Sequence, residues 1–182
     1  PSSSLSQMQW IIEDSGAVLA VTETRDHTEL ISHLVLREDG TPGLQGSPSQ
    51  LRRVLEINSS AIATLKFEGR EIDPAEVDAR ITGTDTDSLA SLVYTSGTTG
   101  RPKGCRLTHR NWLAEVRAIL SHPVGGIAHP GTRALTFLPL AHVLARAVSL
   151  ALVVGGATQN HWSDFSTLSV EFARSRPNLI LG

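Results

Sequence analysis

From Leu89 to the end of the chain, short apolar runs alternate with amphipathic stretches, and this alternation constrains the fold more than any other feature. Leu89-Ala90-Ser91-Leu92-Val93-Tyr94 reads as a strand, followed by a Gly/Thr-rich loop and a helix over about Asn111–Ser121 capped by Thr108. Ala134–Leu138 is the next strand, Ala141–Val153 a buried helix, and a short strand is expected near Ala157. Leu168–Ser175 reads as a helix stopped by Pro177, and Asn178–Leu181 as a final strand. Strands joined through helices run parallel, because such a crossover returns the chain to the same end of the sheet. The expected fold class is therefore α/β, a mainly parallel sheet with flanking helices.

The first half follows the same grammar less clearly. Ser4 and Gln7 have capping-box spacing ahead of a helix whose apolar face is Trp10, Ile11 and Ile12. Ala17–Val21 reads as a short buried strand, Thr24–His33 as a polar helix, and Leu34–Leu36 and Val54–Ile57 as two more strands. Asp39–Gln50, rich in Gly, Pro and Ser, is a loop. Asp73-Pro74-Ala75-Glu76 starts a helix that runs to about Ile81, and Thr82–Ser88 is turn-like.

A length of 182 residues with 40% hydrophobic content suits one α/β core. With a formal charge of −2 and no basic stripe, the chain lacks what neutralises nucleic-acid phosphates, so no nucleic-acid partner is expected. Cys105 is the single cysteine, which excludes an intrachain disulfide, fits a reducing cytoplasm, and reads as a packing residue. The longest apolar stretch, 147–157, is far short of the roughly 20 residues that span a bilayer. Pro1-Ser2-Ser3-Ser4 has no basic n-region, so no secretory signal is read, and the absence of Met at position 1 suggests a start inside a longer polypeptide.

The chemistry concentrates in Tyr94-Thr95-Ser96-Gly97-Thr98-Thr99-Gly100-Arg101-Pro102-Lys103-Gly104. Its glycines admit positive φ and let backbone N–H groups approach an anion. The hydroxyls of Thr95, Ser96, Thr98 and Thr99 can donate to phosphate oxygens and Lys103 adds a positive charge, so the loop is suited to a polyphosphate. This is not a Walker A loop, which needs Gly before the Lys and Ser or Thr after it; Pro102 and Gly104 stand there instead. A flexible Ser/Thr/Gly linker is the bland alternative, and the closing Pro-Lys-Gly argues against it.

These eleven residues resemble the phosphate-loop signature of the adenylate-forming (AMP-binding) superfamily, which includes acyl-CoA synthetases, peptide-synthetase adenylation domains and firefly luciferases. Leu107-Thr108-His109-Arg110-Asn111 is similar to the segment that follows that loop, and Phe137-Leu138-Pro139-Leu140-Ala141-His142-Val143-Leu144-Ala145-Arg146 resembles the second motif in its bacterial long-chain fatty acid–CoA ligase form. The resemblance implies that residues 1–182 are a fragment of the AMP-binding N-terminal domain, with the phosphate loop at 94–104 and an acyl-site motif at 137–146. It implies ATP, Mg²⁺ and coenzyme A as cofactors, a fatty acid as substrate, and peripheral membrane contact and oligomerisation as open options. By the same resemblance Thr95, Ser96, Gly97, Thr98, Thr99, Gly100 and Lys103 bind phosphates, Thr95 is the Mg²⁺ ligand, and Lys103 and His142 are catalytic, His142 beside the carboxylate end of the acyl substrate.

Without the motif, His142 reads as a buried helix-start histidine satisfied by backbone groups. Arg146, one turn later, reads as a salt-bridge partner within the fold, and the histidines besides His109 and His142 lack metal-ligand spacing. Downstream family segments, among them the aromatic-Gly-x-Thr-Glu motif, the ribose-binding Asp and the C-terminal domain with its Lys, do not occur before Gly182, so the fragment alone is expected to be inactive. The rival readings are an aryl- or short-chain acyl-CoA ligase, a fatty acyl-AMP ligase, a peptide-synthetase adenylation domain, or a nucleotide-binding module without catalysis. Leu138–Val143 favours the long-chain ligase.

Overall fold

The computed structural model describes residues 5–95 and 101–181. The capping role expected of Ser4 lies outside them, as do Ser96, Gly97, Thr98, Thr99 and Gly100. Two compact units are formed, one from residues 1–84 and 94–105, the other from residues 85–93 and 106–182.

In the first unit, helix α1 (Leu5–Ser15) buries Ile12 against Ile31, Leu34 and Leu51, with Met8, Ala20, Val35 and Val54 packed around them. Strand β1 (Leu19–Thr22) pairs in parallel with β2 (Arg53–Glu56), placing Val21 opposite Leu55. Helix α2 (Arg25–Ser32) lies between them in sequence, its first turn capped by the Thr24 side chain, which accepts from the His27 N–H. The expectation of a buried strand at Ala17–Val21 is corrected: Leu19 and Val21 are exposed, because period-two alternation turns only Ala20 and Thr22 toward the core side.

Leu34–Leu36 is likewise not a ladder strand. The N–H groups of Leu34 and Val35 donate to the carbonyls of Ile31 and Ser32, prolonging the end of α2, and only Leu36 makes a bridge, to Pro42. Leu34 is fully buried, so the apolar signal was one of burial rather than strand pairing. Helix α3 (Ala61–Glu68), unexpected from sequence, buries only Ala61, and a 3₁₀ turn follows it. Helix α4 (Pro74–Thr82) begins as expected, with Pro74 in its first turn and the Asp73 carboxylate accepting from the Ala75 N–H at 2.9 Å.

Strands β3 (Leu89–Thr95) and β4 (Lys103–Thr108) are hydrogen-bonded neighbours in a two-stranded sheet. In the second unit, helix α5 (His109–Ser121) packs on α6 (Val143–Val154), and Val93, Trp112 and Ala147 form a core flanked by Leu107, Ile119 and Leu150. The remaining sheet has the order β6 (Thr158–His161), β5 (Arg133–Thr136), β7 (Leu179–Leu181), parallel throughout, with helix α7 (Leu168–Ser175) between β6 and β7 in sequence. The central position of β5 accounts for the burial of Ala134, Leu135 and Thr136. Arg176 caps α7 in the left-handed conformation at φ 44°, and the helix stops before Pro177 as expected. The expectation of a parallel α/β arrangement holds. The buried helix at 141–153 is buried on one side only, since Val143, Leu144, Val153 and Val154 are exposed. Among the described residues no helix is long and apolar enough to cross a membrane.

Candidate functional site

Thr95 ends β3 and Lys103 begins β4, so both flanks of the glycine/hydroxyl run are held on strands that are hydrogen-bonded neighbours. Both side chains are exposed, and among the described residues no hydrogen bond or ion pair engages the Thr95 hydroxyl or the Lys103 ammonium. Gly104 lies under the Tyr94 ring, where a Cβ would stand 3.0 Å from the ring carbon bearing the hydroxyl. A glycine is therefore what lets the two flanks approach there. The order strand, loop, helix expected around the run is corrected, because β4 intervenes between residue 101 and α5. The first-turn donors of α5 are all engaged: the His109 and Arg110 N–H groups donate to the Ser88 and Thr86 carbonyls, and Thr108 and Asn111 form a reciprocal capping box, Asn111 Oδ1 accepting from the Thr108 N–H at 2.9 Å.

Helix α1 reaches both flanks, a role that no local feature of the sequence announces. The Trp10 indole N–H donates to the Pro102 carbonyl at 2.9 Å, and the Arg101 guanidinium sits 4.8 Å from the Trp10 ring centroid. The Tyr94 hydroxyl donates to Asp14 Oδ2 at 2.6 Å. Desolvation of the phenol, reinforced by the hydrogen bond and the negative charge at Asp14, pushes the Tyr94 pKa up to about 12.

His142 belongs to the other unit, so the structure brings Thr95 and Lys103 into one unit but not His142 with them. It stands at the N-cap of α6 with its N–H bonded to the Pro139 carbonyl, but its ring makes no capping bond and is exposed. The reading of a buried, backbone-satisfied histidine is thereby corrected. Arg146 also departs from expectation. Its Nε donates to the Leu140 carbonyl at 2.9 Å and its guanidinium lies over Trp112, in place of a salt bridge. Beside this turn Val143, Leu144, Leu107, Trp112 and Ala147 line a largely apolar cleft of about 300 Å³.

Cys105 is exposed, which corrects its reading as a packing residue. Among the described residues no group of three or more His, Cys, Asp or Glu is placed to hold a metal. An exposed threonine hydroxyl fits a hard cation that keeps most of its waters, such as Mg²⁺, better than one needing a protein cage. An ammonium and a hydroxyl at the two ends of a glycine-rich segment make an arrangement suited to an extended anion.

A sequence profile of the AMP-binding enzyme family matches residues 1–180. The chain is 39% identical over 183 residues to the long-chain-fatty-acid–CoA ligase FadD15 of Mycobacterium tuberculosis, a match covering 98% of this chain and 28% of that ligase. Its structure is similar to the N-terminal domain of FACL13 from Mycobacterium tuberculosis, with a TM-score of 0.68 at 17% identity over 98% of this chain and 40% of that one. It is also similar to ATP-bound MatB from Rhodopseudomonas palustris, with a TM-score of 0.67 at 17% identity over 100% of this chain and 32% of that one. At such identities these two likenesses concern the fold alone. The chain thus spans little more than a quarter of the length of the curated ligase it matches.

Proposed function

Because the chain belongs to the AMP-binding enzyme family, we propose that it forms part of the N-terminal domain of an ATP-dependent long-chain fatty acid–CoA ligase. A carboxylate oxygen attacks the α-phosphorus of ATP, pyrophosphate leaves, and the acyl-AMP then passes its acyl group to the thiol of coenzyme A, releasing AMP. The observation that carries this reading is the 39% identity to a long-chain ligase across 98% of the chain, a span that includes both the 94–104 and the 137–146 segments.

In this reading Thr95 to Gly100 and Lys103 hold the β- and γ-phosphates. The Lys103 ammonium, unpaired with any carboxylate among the described residues, stabilises the negative charge that grows on the departing pyrophosphate. The Thr95 hydroxyl serves as a ligand for Mg²⁺, which when bound offsets phosphate charge. His142, exposed at the start of α6, is assigned to the carboxylate end of the acyl substrate, and the apolar cleft beside Leu144 and Trp112 supports an aliphatic chain there. The reading further takes the enzyme to be cytoplasmic, with peripheral contact at a membrane as the source of its water-insoluble substrate.

Isotopic ATP–pyrophosphate exchange in the full-length enzyme tests the assignment. Lys103→Ala should lose roughly 2–4 kcal/mol of transition-state stabilisation, the range seen for removal of one oxyanion donor. Exchange at the wild-type rate would overturn the phosphate role.

A further inference from the structure

We infer that α1 is a positioning element for Thr95 and Lys103, with Trp10 and Asp14 as the positioning residues that hold the residue before each of them. The inference rests on the phosphate-binding reading above and adds residues to which that reading assigns no part. Trp10 and Asp14 are four apart on one helix and so share a face. From that face Asp14 accepts from Tyr94, the residue just before Thr95, while Trp10 donates to the carbonyl of Pro102, the residue just before Lys103. The Trp10 ring also stacks with Arg101. A single helix therefore grips the residue immediately before each of the two side chains assigned to phosphate and metal.

The helix is itself anchored independently of the run. Ile12 is inserted in the core with Ile31, Leu34 and Leu51, and Glu13 is hydrogen-bonded by Gln9 and by the buried Ser47. By contrast Asp14 and Arg101 are exposed and Trp10 and Tyr94 half-buried, so the gripping contacts bury little apolar surface. Their effect is directional. They fix where β3 ends and where β4 begins, and hence the span between the Thr95 hydroxyl and the Lys103 ammonium. Gly104 completes the device, since a Cβ there would stand 3.0 Å from the Tyr94 ring and require it to give way by a few tenths of an ångström.

The test is kinetic, in the full-length enzyme, with Lys103→Ala measured alongside. Asp14→Ala, Tyr94→Phe and Trp10→Ala should each lower kcat/KM for ATP in pyrophosphate exchange by roughly ten- to hundredfold, the scale of a small misplacement of reacting groups. The KM for the fatty acid and the thermal midpoint should stay unchanged, and Asp14→Asn, which keeps an acceptor for the Tyr94 hydroxyl, should restore most of the loss. Wild-type ATP kinetics in these variants, with Lys103→Ala impaired, would overturn the positioning role and leave the phosphate reading standing. Parallel losses for ATP and fatty acid together with a lowered midpoint would also overturn it, since that marks a merely structural contact. Unimpaired exchange in Lys103→Ala would remove both readings at once.

Discussion

Tyr94 and Asp14, separated by 80 positions in sequence, meet through a 2.6 Å hydrogen bond from the phenol to the carboxylate. The contact joins a strand end to a helix face within one compact unit. Its geometry ties the titration of Tyr94 to the presence of Asp14.

With burial first and the Asp14 contacts second, the Tyr94 pKa is pushed up to about 12, against an ordinary value of 10.0. The folded state holds this proton more tightly than the unfolded state, so the associated stability is fully present below pH 10.0 and is lost as pH rises through about 12. The difference in phenolate absorbance between wild type and Tyr94→Phe isolates this group. It should titrate near pH 12 and move toward 10 in Asp14→Ala. A Tyr94 titration at the ordinary value in wild type would show that the contact is not made in solution.

A second expectation concerns Gly155, the residue that caps α6. An added Cβ would lie 2.0 Å from the Ala128 carbonyl oxygen and 2.6 Å from its carbon, both backbone atoms that cannot swing aside. Gly155→Ala should therefore destabilise by about 1–3 kcal/mol or more through overpacking. Gly69 caps α3 with an ordinary helical φ of −69°, and a methyl group added there would meet nothing within 4 Å, so Gly69→Ala should be neutral or stabilising by up to about 1 kcal/mol. Denaturant melts should show a lowered midpoint for Gly155→Ala and an unchanged or raised one for Gly69→Ala.

Elements with their own local chemistry were legible in the sequence. Asp73 and Thr108 each cap the helix their side chains announce, and Pro177 stops α7 where expected. Elements specified by distant partners were not. Strand β4 carries Lys103, Gly104 and Arg106, poor advertisements for a strand, and owes its form to pairing with β3. Helix α3 shows no helical apolar stripe, because only Ala61 of it is buried. The contribution of α1 to the candidate site was invisible for the same reason: Trp10 reads as a core-facing residue on its own helix, and nothing local tells that its indole N–H meets a carbonyl 92 positions away. The motif residues Thr95, Lys103 and His142 were singled out by pattern, yet the exposure of His142 and the bonding of Arg146 to Leu140 required the turn they sit in.

The reciprocal cap at the start of α5 gives a third test. Thr108 and Asn111 each bond the other's backbone N–H, and the Thr108 hydroxyl also donates to Asn111 Oδ1, so Thr108→Ala removes two bonds and leaves only that from the Thr108 N–H. A loss of about 1 kcal/mol is expected, with Thr108→Ser close to wild type. Hydrogen exchange in the first turn of α5 should accelerate in the alanine variant; unchanged protection there would mean that the capping box contributes nothing to holding the turn.

The apolar cleft beside α6 provides the last expectation, which bears on acyl selectivity. Leu144 is 62% exposed yet lines this cleft with Trp112 and Leu107, so its side chain can be changed without opening the core. If the cleft receives an aliphatic chain, each methylene transferred from water contributes about 0.8 kcal/mol, and preference should climb with chain length. A polar group at position 144 would leave part of the chain against an unsatisfied amide, weakening the longest substrates most. In the full-length enzyme, Leu144→Asn should thus flatten the dependence of kcat/KM on chain length while leaving the KM for ATP and the thermal midpoint unchanged. A chain-length profile identical to wild type would place the acyl chain elsewhere, and a uniform loss at every length would mean that Leu144 serves the fold rather than the substrate.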